Sequence, residues 1–181
     1  AQLGSLAQMA IQRKKDEDGL TVLDGATTIL SGAGTALASG VIAAAAYRIS
    51  SNATEPGNPP YRCVLHGFQI KDLYDELTAG VGNAVGEVTS GLTARVFEEG
   101  FRGKIAGVEI FEDGNITIDS VTDDAKGGVF AQEAIILVQG RAPRTATVRR
   151  EDIGGGATVV YLYDEYAYGE RSAGNWLYEI Y

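Results

Sequence analysis

The residue types best suited to chemistry are scarce in this sequence. One histidine, His66, and one cysteine, Cys63, stand three positions apart. A Ser-His-Asp or Cys-His machine needs the histidine beside its nucleophile in space. On a strand these two side chains would point to opposite faces. Cys63 opens the apolar run Cys63-Val64-Leu65 and reads as a small core residue. His66 reads as a hydrogen-bonding residue at a strand-to-helix junction.

Ligand count argues against a zinc site, because one His and one Cys leave only carboxylates to complete the shell. Asp113, Asn115 and Asp119 resemble part of a calcium loop, but the EF-hand spacing and its closing Glu are absent. Gly32-Ala33-Gly34 ahead of a helix suggests a phosphate loop, yet Leu37 stands where the third Gly of GxGxxG would be, and no Gly-Lys-Ser/Thr follows. The carboxylate pairs Glu98/Glu99 and Asp164/Glu165 are adjacent in sequence and do not evidently converge. The expectation is therefore a chain that is not an enzyme, with no catalytic residue, cofactor or metal. One basic cluster remains. Arg141, Arg144, Arg149 and Arg150 lie in a stretch without an acid. In a chain of net charge -9 they are candidate subunit-contact residues, since copies of an acidic protein need complementary spots to assemble. The alternative is a solvated strand edge protected against aggregation.

The elements that would position these residues follow from periodicity. Leu3, Leu6, Ala7, Ala10 and Ile11 make one apolar stripe of a helix over residues 1–18, with Gly19 as its stop. Arg13/Glu17 and Lys14/Asp18 are spaced to pair on it. Residues 19–34 read as a connection. Thr35 is placed to cap a helix over 36–50, buried through Leu37, Val41, Ile42, Ala45 and Ile49. A loop from Ser50 to Pro60 leads to a strand over 61–66 and a helix over 68–78. Gly80, Gly82, Gly86 and Gly91 mark a flexible stretch before a short helix at 92–99. A strand over 104–111, a hairpin signal at Glu112-Asp113-Gly114-Asn115 and a return over 116–121 follow. Asp123 to Gly128 reads as a turn. The last third reads as strands at 133–140, 144–150, 157–168 and 175–181. Six of the nine tyrosines fall between Tyr161 and Tyr181, which suits long twisted strands. Helices come first and strands last without a βαβ rhythm, so the class is α+β.

Composition limits function further. The 181 residues allow one ordinary domain or two small lobes. An acidic chain is repelled by phosphate, which disfavours tight sequence-independent nucleic-acid binding. A single cysteine permits no intrachain disulfide. No signal-peptide pattern opens the chain at Ala1, and its one methionine is Met9, which suggests a processed or truncated product. Gly25 to Tyr47 carries no charge, but its four Gly and many small residues favour a loop and a buried helix over a membrane span.

Three stretches together resemble the major capsid proteins of tailed phages, the Hong Kong 97-type coat fold. Tyr61-Arg62-Cys63-Val64-Leu65-His66-Gly67-Phe68-Gln69, leading to Leu73, is similar to the family's strand, turn and Gln-bearing helix, with Gly67 where proline is common in relatives. Phe101-Arg102-Gly103-Lys104-Ile105-Ala106-Gly107-Val108-Glu109-Ile110 is similar to the start of the family's inner strand. The third set runs from Gly128-Val129-Phe130 through Glu133-Ala134-Ile135 and Arg141 to Asp152, then Tyr168-Gly169 and Trp176-Leu177-Tyr178. It resembles the strands closing the peripheral lobe.

The resemblance implies a spine helix and the start of a peripheral lobe in residues 1–30, an axial lobe in 31–122 and peripheral-lobe strands in 123–181. The N-terminal arm and extended loop usual in such proteins are not expected in this chain. It also implies a structural subunit that self-assembles as pentamers and hexamers into an icosahedral shell around viral double-stranded DNA. The partners would be copies of itself, with scaffolding, portal or decoration proteins, and no sequence-specific DNA binding or membrane. The location would be the virion, with assembly in the host cytoplasm. An encapsulin-type compartment shell and a small non-enzymatic binding domain are the alternatives.

Overall fold

A computed structural model describes residues 2–32, 34–79, 103–119, 121–122, 124–152 and 154–181. The flexible glycine stretch and short helix expected between 80 and 99 lie outside the described residues. In chain order the elements are helix α1 (Gln2–Asp24), helix α2 (Ser39–Ser50), strand β1 (Tyr61–Leu65) and helix α3 (Gly67–Ala79), then β2 (Lys104–Ile105), β3 (Val108–Glu112), β4 (Ile118–Asp119), β5 (Asp124–Ala125), β6 (Gly127–Ala131), β7 (Ile135–Arg150), β8 (Ala157–Glu170) and β9 (Leu177–Ile180). Helices and sheets are mixed, as the α+β class requires.

A five-stranded sheet, ordered β2-β3-β1-β6-β9, carries the core. All neighbours in it are antiparallel except β1 and β3, which run parallel with α3 in the connection between them. The sheet draws β1–β3 from before residue 122 and β6 and β9 from after it. Helix α2 packs on β6 and β9 through Ile42, Ala45, Ala46 and Ile49. Leu65, Leu73, Val108, Val129 and Ile180 complete the cluster, with Cys63 inside it. Each fully buried Ile or Leu contributes about 1.5–3 kcal/mol.

A buried glutamine joins the layers. Gln69 Nε2 donates to Ala125 O at 2.9 Å and Ile180 O at 3.1 Å, while its Oε1 accepts from His66 N at 3.2 Å. The two glycines that open β6 admit this arrangement. A Cβ on Gly127 would sit 2.6 Å from Gln69 Oε1 and 2.7 Å from Val64 O, and one on Gly128 would sit 2.8 Å from Leu23 Cδ2.

Several sequence expectations fail for identifiable reasons. Helix α1 does not stop at Gly19; it continues to Asp24, because Gly19 lies against the Tyr168 ring and Leu23 is buried beyond it. Thr35 caps no helix, since its Oγ1 donates to Gly32 O. The start of α2 is instead satisfied by acids of α3: Glu76 accepts from Ser39 N at 2.6 Å and Asp72 accepts from Leu37 N at 3.1 Å.

The strand expected at 104–111 is two strands, broken by a tight turn at Ala106-Gly107, both at positive φ (50° and 82°). Glu112 to Asn115 turns the chain but joins no hairpin, because β3 pairs with β1 and β2 while β4 pairs with β5. Residues 124–128 are not a turn; β5 and the start of β6 lie there, the paired glycines being used for close approach. The two strands expected at 133–140 and 144–150 are one, carried past two irregularities near Arg141.

Candidate assembly surface

Strands β7 and β8 form a two-stranded ribbon that, among the described residues, no ladder joins to the other sheets. Alternation gives the ribbon two faces. One face meets α1. Lys15 Nζ lies 2.6 Å from Asp164 Oδ2 and 5.1 Å from the centre of the Tyr166 ring. The Tyr166 hydroxyl donates to Asp18 at 2.8 Å, and the Tyr168 ring lies against Gly19. The hydrogen bonds from Lys14 and then Tyr166 hold the Asp18 carboxyl below the usual range, and the bond to Asp18 is the main cause pushing the Tyr166 phenol up to about 12. The i,i+4 pairs Arg13–Glu17 and Lys14–Asp18 form at 2.9 Å and 2.6 Å, with Arg13 and Lys14 exposed.

The other face has no partner among the described residues. Cross-strand register puts Ile136, Val138, Arg141, Arg144, Ala146, Val148 and Arg150 there, opposite Gly169, Ala167, Glu165, Tyr163, Tyr161, Val159 and Ala157. Its large apolar side chains stay wet: Val138 is 61% exposed, Val148 48% and Tyr163 47%. Tyr161 and Tyr163 stack with ring centres 6.1 Å apart, and the Arg144 guanidinium lies 5.4 Å from the Tyr163 ring centre. Arg141 Nε lies 3.3 Å from Glu165. A hairpin with one bare face is marginal in water without a cover. This one combines aromatic rings, arginines and β-branched residues, the composition of an interface centre.

The four candidate arginines are therefore not one patch. Arg141, Arg144 and Arg150 share the bare face, and Arg149 belongs by register to the α1 side, opposite Thr158. Near the tip each terminal arginine has a local acid: Arg149 Nε lies 3.5 Å from Glu151 and Arg150 Nη2 3.1 Å from Asp152. The sequence reading missed the apolar and tyrosine half of this surface. Its signal was present, because Ile136, Val138, Val148, Tyr161 and Tyr163 recur at even spacing along both strands.

A second bare area lies on the first half of α1, where Leu6 and Met9 are each 63% exposed. Leu6 and Ala10 leave the stripe expected to be buried, while Ala7 and Ile11 keep to it.

The residues with chemical potential lie apart from this surface. Cys63 is buried in the core, where loss of solvation pushes its thiol up and away from thiolate character. His66 sits at the junction of β1 and α3, where its Nδ1 accepts from Phe68 N at 3.3 Å. At Gly32–Gly34 the Gly34 N–H is taken by the Asp124 carboxylate at 3.0 Å, the opposite of a free phosphate cradle. Among the described residues no cluster of three or more His, Cys, Asp or Glu side chains could hold a metal ion, and no helix is long and apolar enough to cross a membrane.

Solved structures share this fold. A chain of Mycobacterium phage Che8 superposes with a TM-score of 0.69 at 20% identity, covering 99% of this chain and 61% of that one. A chain of the capsid structure of cyanophage P-SCSP1u gives 0.67 at 16% identity, covering 99% and 64%. A chain of the crystal structure of a virus-like particle from Pyrococcus furiosus gives 0.55 at 13% identity, covering 93% and 62%. The present chain thus spans a little under two thirds of each. No family model and no curated protein matches the sequence. The likeness to phage coat proteins that three sequence stretches suggested is present in the fold.

Proposed function

We propose that this chain is the larger part of a major capsid protein with the Hong Kong 97-type fold. Its work is to self-assemble as pentamers and hexamers into an icosahedral shell around viral double-stranded DNA. The observation that carries the reading is the superposition of nearly the whole chain on a cyanophage capsid structure. The bare ribbon face agrees with it, because a shell subunit must keep apolar and charged surface for its neighbours.

The mechanism is association, not catalysis. Each contact is weak and repeated, and closure makes the contacts strong together. Within this reading α1 is the spine, residues 1–30 and 123–181 belong to the peripheral lobe, and 31–122 form the axial lobe. Strands from both stretches share the five-stranded sheet. The partners are other copies, and Arg141, Arg144 and Arg150 contribute on the bare face. Scaffolding, portal and decoration proteins are further partners of such shells. A net charge of -9 suits a wall that encloses DNA without gripping it. The particle would be assembled in the host cytoplasm and would reside in the virion.

Sedimentation velocity and electron microscopy of the native material test this. Closed megadalton particles of one repeating subunit, containing DNA, are expected. Particles filled with protein cargo would transfer the chain to a compartment shell of encapsulin type. A stable monomer at assembly concentrations would overturn both in favour of a binding domain.

A further inference from the structure

The connection that follows α1 is tied to the last residues of the chain by a compact set of bonds. Glu179 N donates to Thr28 O at 3.0 Å, and Leu30 N donates to Glu179 O at 3.0 Å. Ser31 Oγ donates to Tyr181 O at 2.9 Å and accepts from Tyr181 N at 3.0 Å. At the same place Lys126 Nζ reaches back to Asp24, the last residue of α1, at 2.5 Å, and lies 5.9 Å from the centre of the Tyr181 ring.

A carboxyl group sits in the middle of this clasp. Glu179 is 2% exposed, and its Oε1 has no hydrogen-bond partner. The neighbouring Tyr181 and Lys126 favour its charged form. Two acids, Asp24 and Glu179, face one cation, Lys126. The β4–β5 pair adds Asp119 and Asp124 beside Lys126 and Tyr181, around a cavity of about 300 Å³. Asp124 already accepts from Gly34 N. Strand β6 offers only Gly127 and Gly128 opposite β9 at this end, so no further cation comes from the sheet.

We propose that Glu179 is a proton-operated latch between the end of α1 and the final strand. Uncharged, the carboxyl sits beside Asp24 without repulsion and the strap over residues 25–31 stays closed. Charged, it is a buried anion with an unsatisfied oxygen next to a second acid, and the strap and the last turn of α1 loosen.

The direction follows from linkage. Burial, with a smaller contribution from Asp24, raises the carboxyl above its ordinary 4.5, while Tyr181 and Lys126 oppose the rise. The closed form therefore holds the proton to higher pH than the open form. Its advantage is complete below 4.5 and is lost as pH rises through the raised value.

Amide hydrogen exchange on segments 25–31 and 177–181 tests the latch, with intrinsic rates corrected and residues 61–65 as an internal reference. In the wild-type chain, corrected protection should fall by up to about tenfold for each pH unit between 4.5 and the raised value. Glu179→Gln should remove that slope. A flat wild-type profile, or the same slope in Glu179→Gln, overturns the proposal. Should the variant not fold, carbon NMR of the wild-type Glu179 carboxyl decides: a midpoint above 4.5 supports the latch, and one at or below 4.5 overturns it.

Discussion

Lys15 Nζ lies 2.6 Å from Asp164 Oδ2 and binds the long first helix to the ribbon where the acid is 4% exposed and the lysine 21%. Asp164 Oδ1 also accepts from Gln139 Nε2 and Glu165 N, so the acid fixes both strands as well as the helix. Lys15→Ala would leave this sheltered carboxylate without its cation, which should cost about 1–3 kcal/mol. Urea unfolding of Lys15→Ala, Asp164→Ala and the double variant measures the coupling. A coupling of about 1 kcal/mol or more is expected, and a value near zero would reduce the pair to a surface contact.

The neighbouring contact, Tyr166 to Asp18, has a pH window. Asp18 is lowered, so its contribution is present above the ordinary 3.8 and is lost as pH falls through its lower folded value. Tyr166 is raised, so its contribution is present below the ordinary 10.0 and is lost as pH rises through about 12. Ultraviolet titration should show one tyrosine ionising near 12, absent from Tyr166→Phe. A wild-type titration without that late step would contradict the contact.

Much of this fold was legible because its signals are local. The apolar spacing of Ile42, Ala45 and Ile49 marks α2, and the junction at His66 falls between β1 and α3 as its neighbours imply. The errors share a cause: tertiary contacts outvoted local chemistry. Gly19 looks like a helix stop, but a tyrosine ring from β8 covers it and the helix runs on. Gly127 and Gly128 look like a turn, but they are strand residues kept bare so that Gln69 and Leu23 can approach. The arginine cluster was visible as a cluster, and alternation alone sets Arg149 apart from Arg144 and Arg150; only the place of Arg141 on their face depends on the irregularities beside it, which no spacing rule foresees.

Those glycines make a direct prediction. Gly127→Ala would press a methyl group on Val64 O and Gln69 Oε1, where backbone cannot retreat, and should destabilise by about 1–3 kcal/mol or more. Gly169→Ala, in open space on β8, should lie within about 0.5 kcal/mol of wild type. Thermal or urea unfolding of the two compares them directly. Equal effects would mean that the approach of Gln69 to β6 is not close.

If the chain assembles as proposed, the ribbon predicts which arginines matter. Arg141 and Arg144 lie on the bare face beside Glu165 and Tyr163, while Arg149 faces the α1 side. All are exposed, and Arg141 and Glu165 are 67% and 66% exposed, so charge reversal should change the stability of the free subunit by no more than about 1 kcal/mol. In a shell the same change is repeated at every contact. A penalty of about 1.4 kcal/mol per contact already weakens each association tenfold. Arg141→Glu with Arg144→Glu should therefore raise the concentration needed for particles by tenfold or more, while Arg149→Glu assembles as wild type. Added salt should weaken wild-type assembly only in part, because the apolar half of the face is indifferent to screening. Sedimentation velocity across a concentration series reads all three proteins. Normal particles from the double variant, or loss of particles from Arg149→Glu alone, would take the contact off this face.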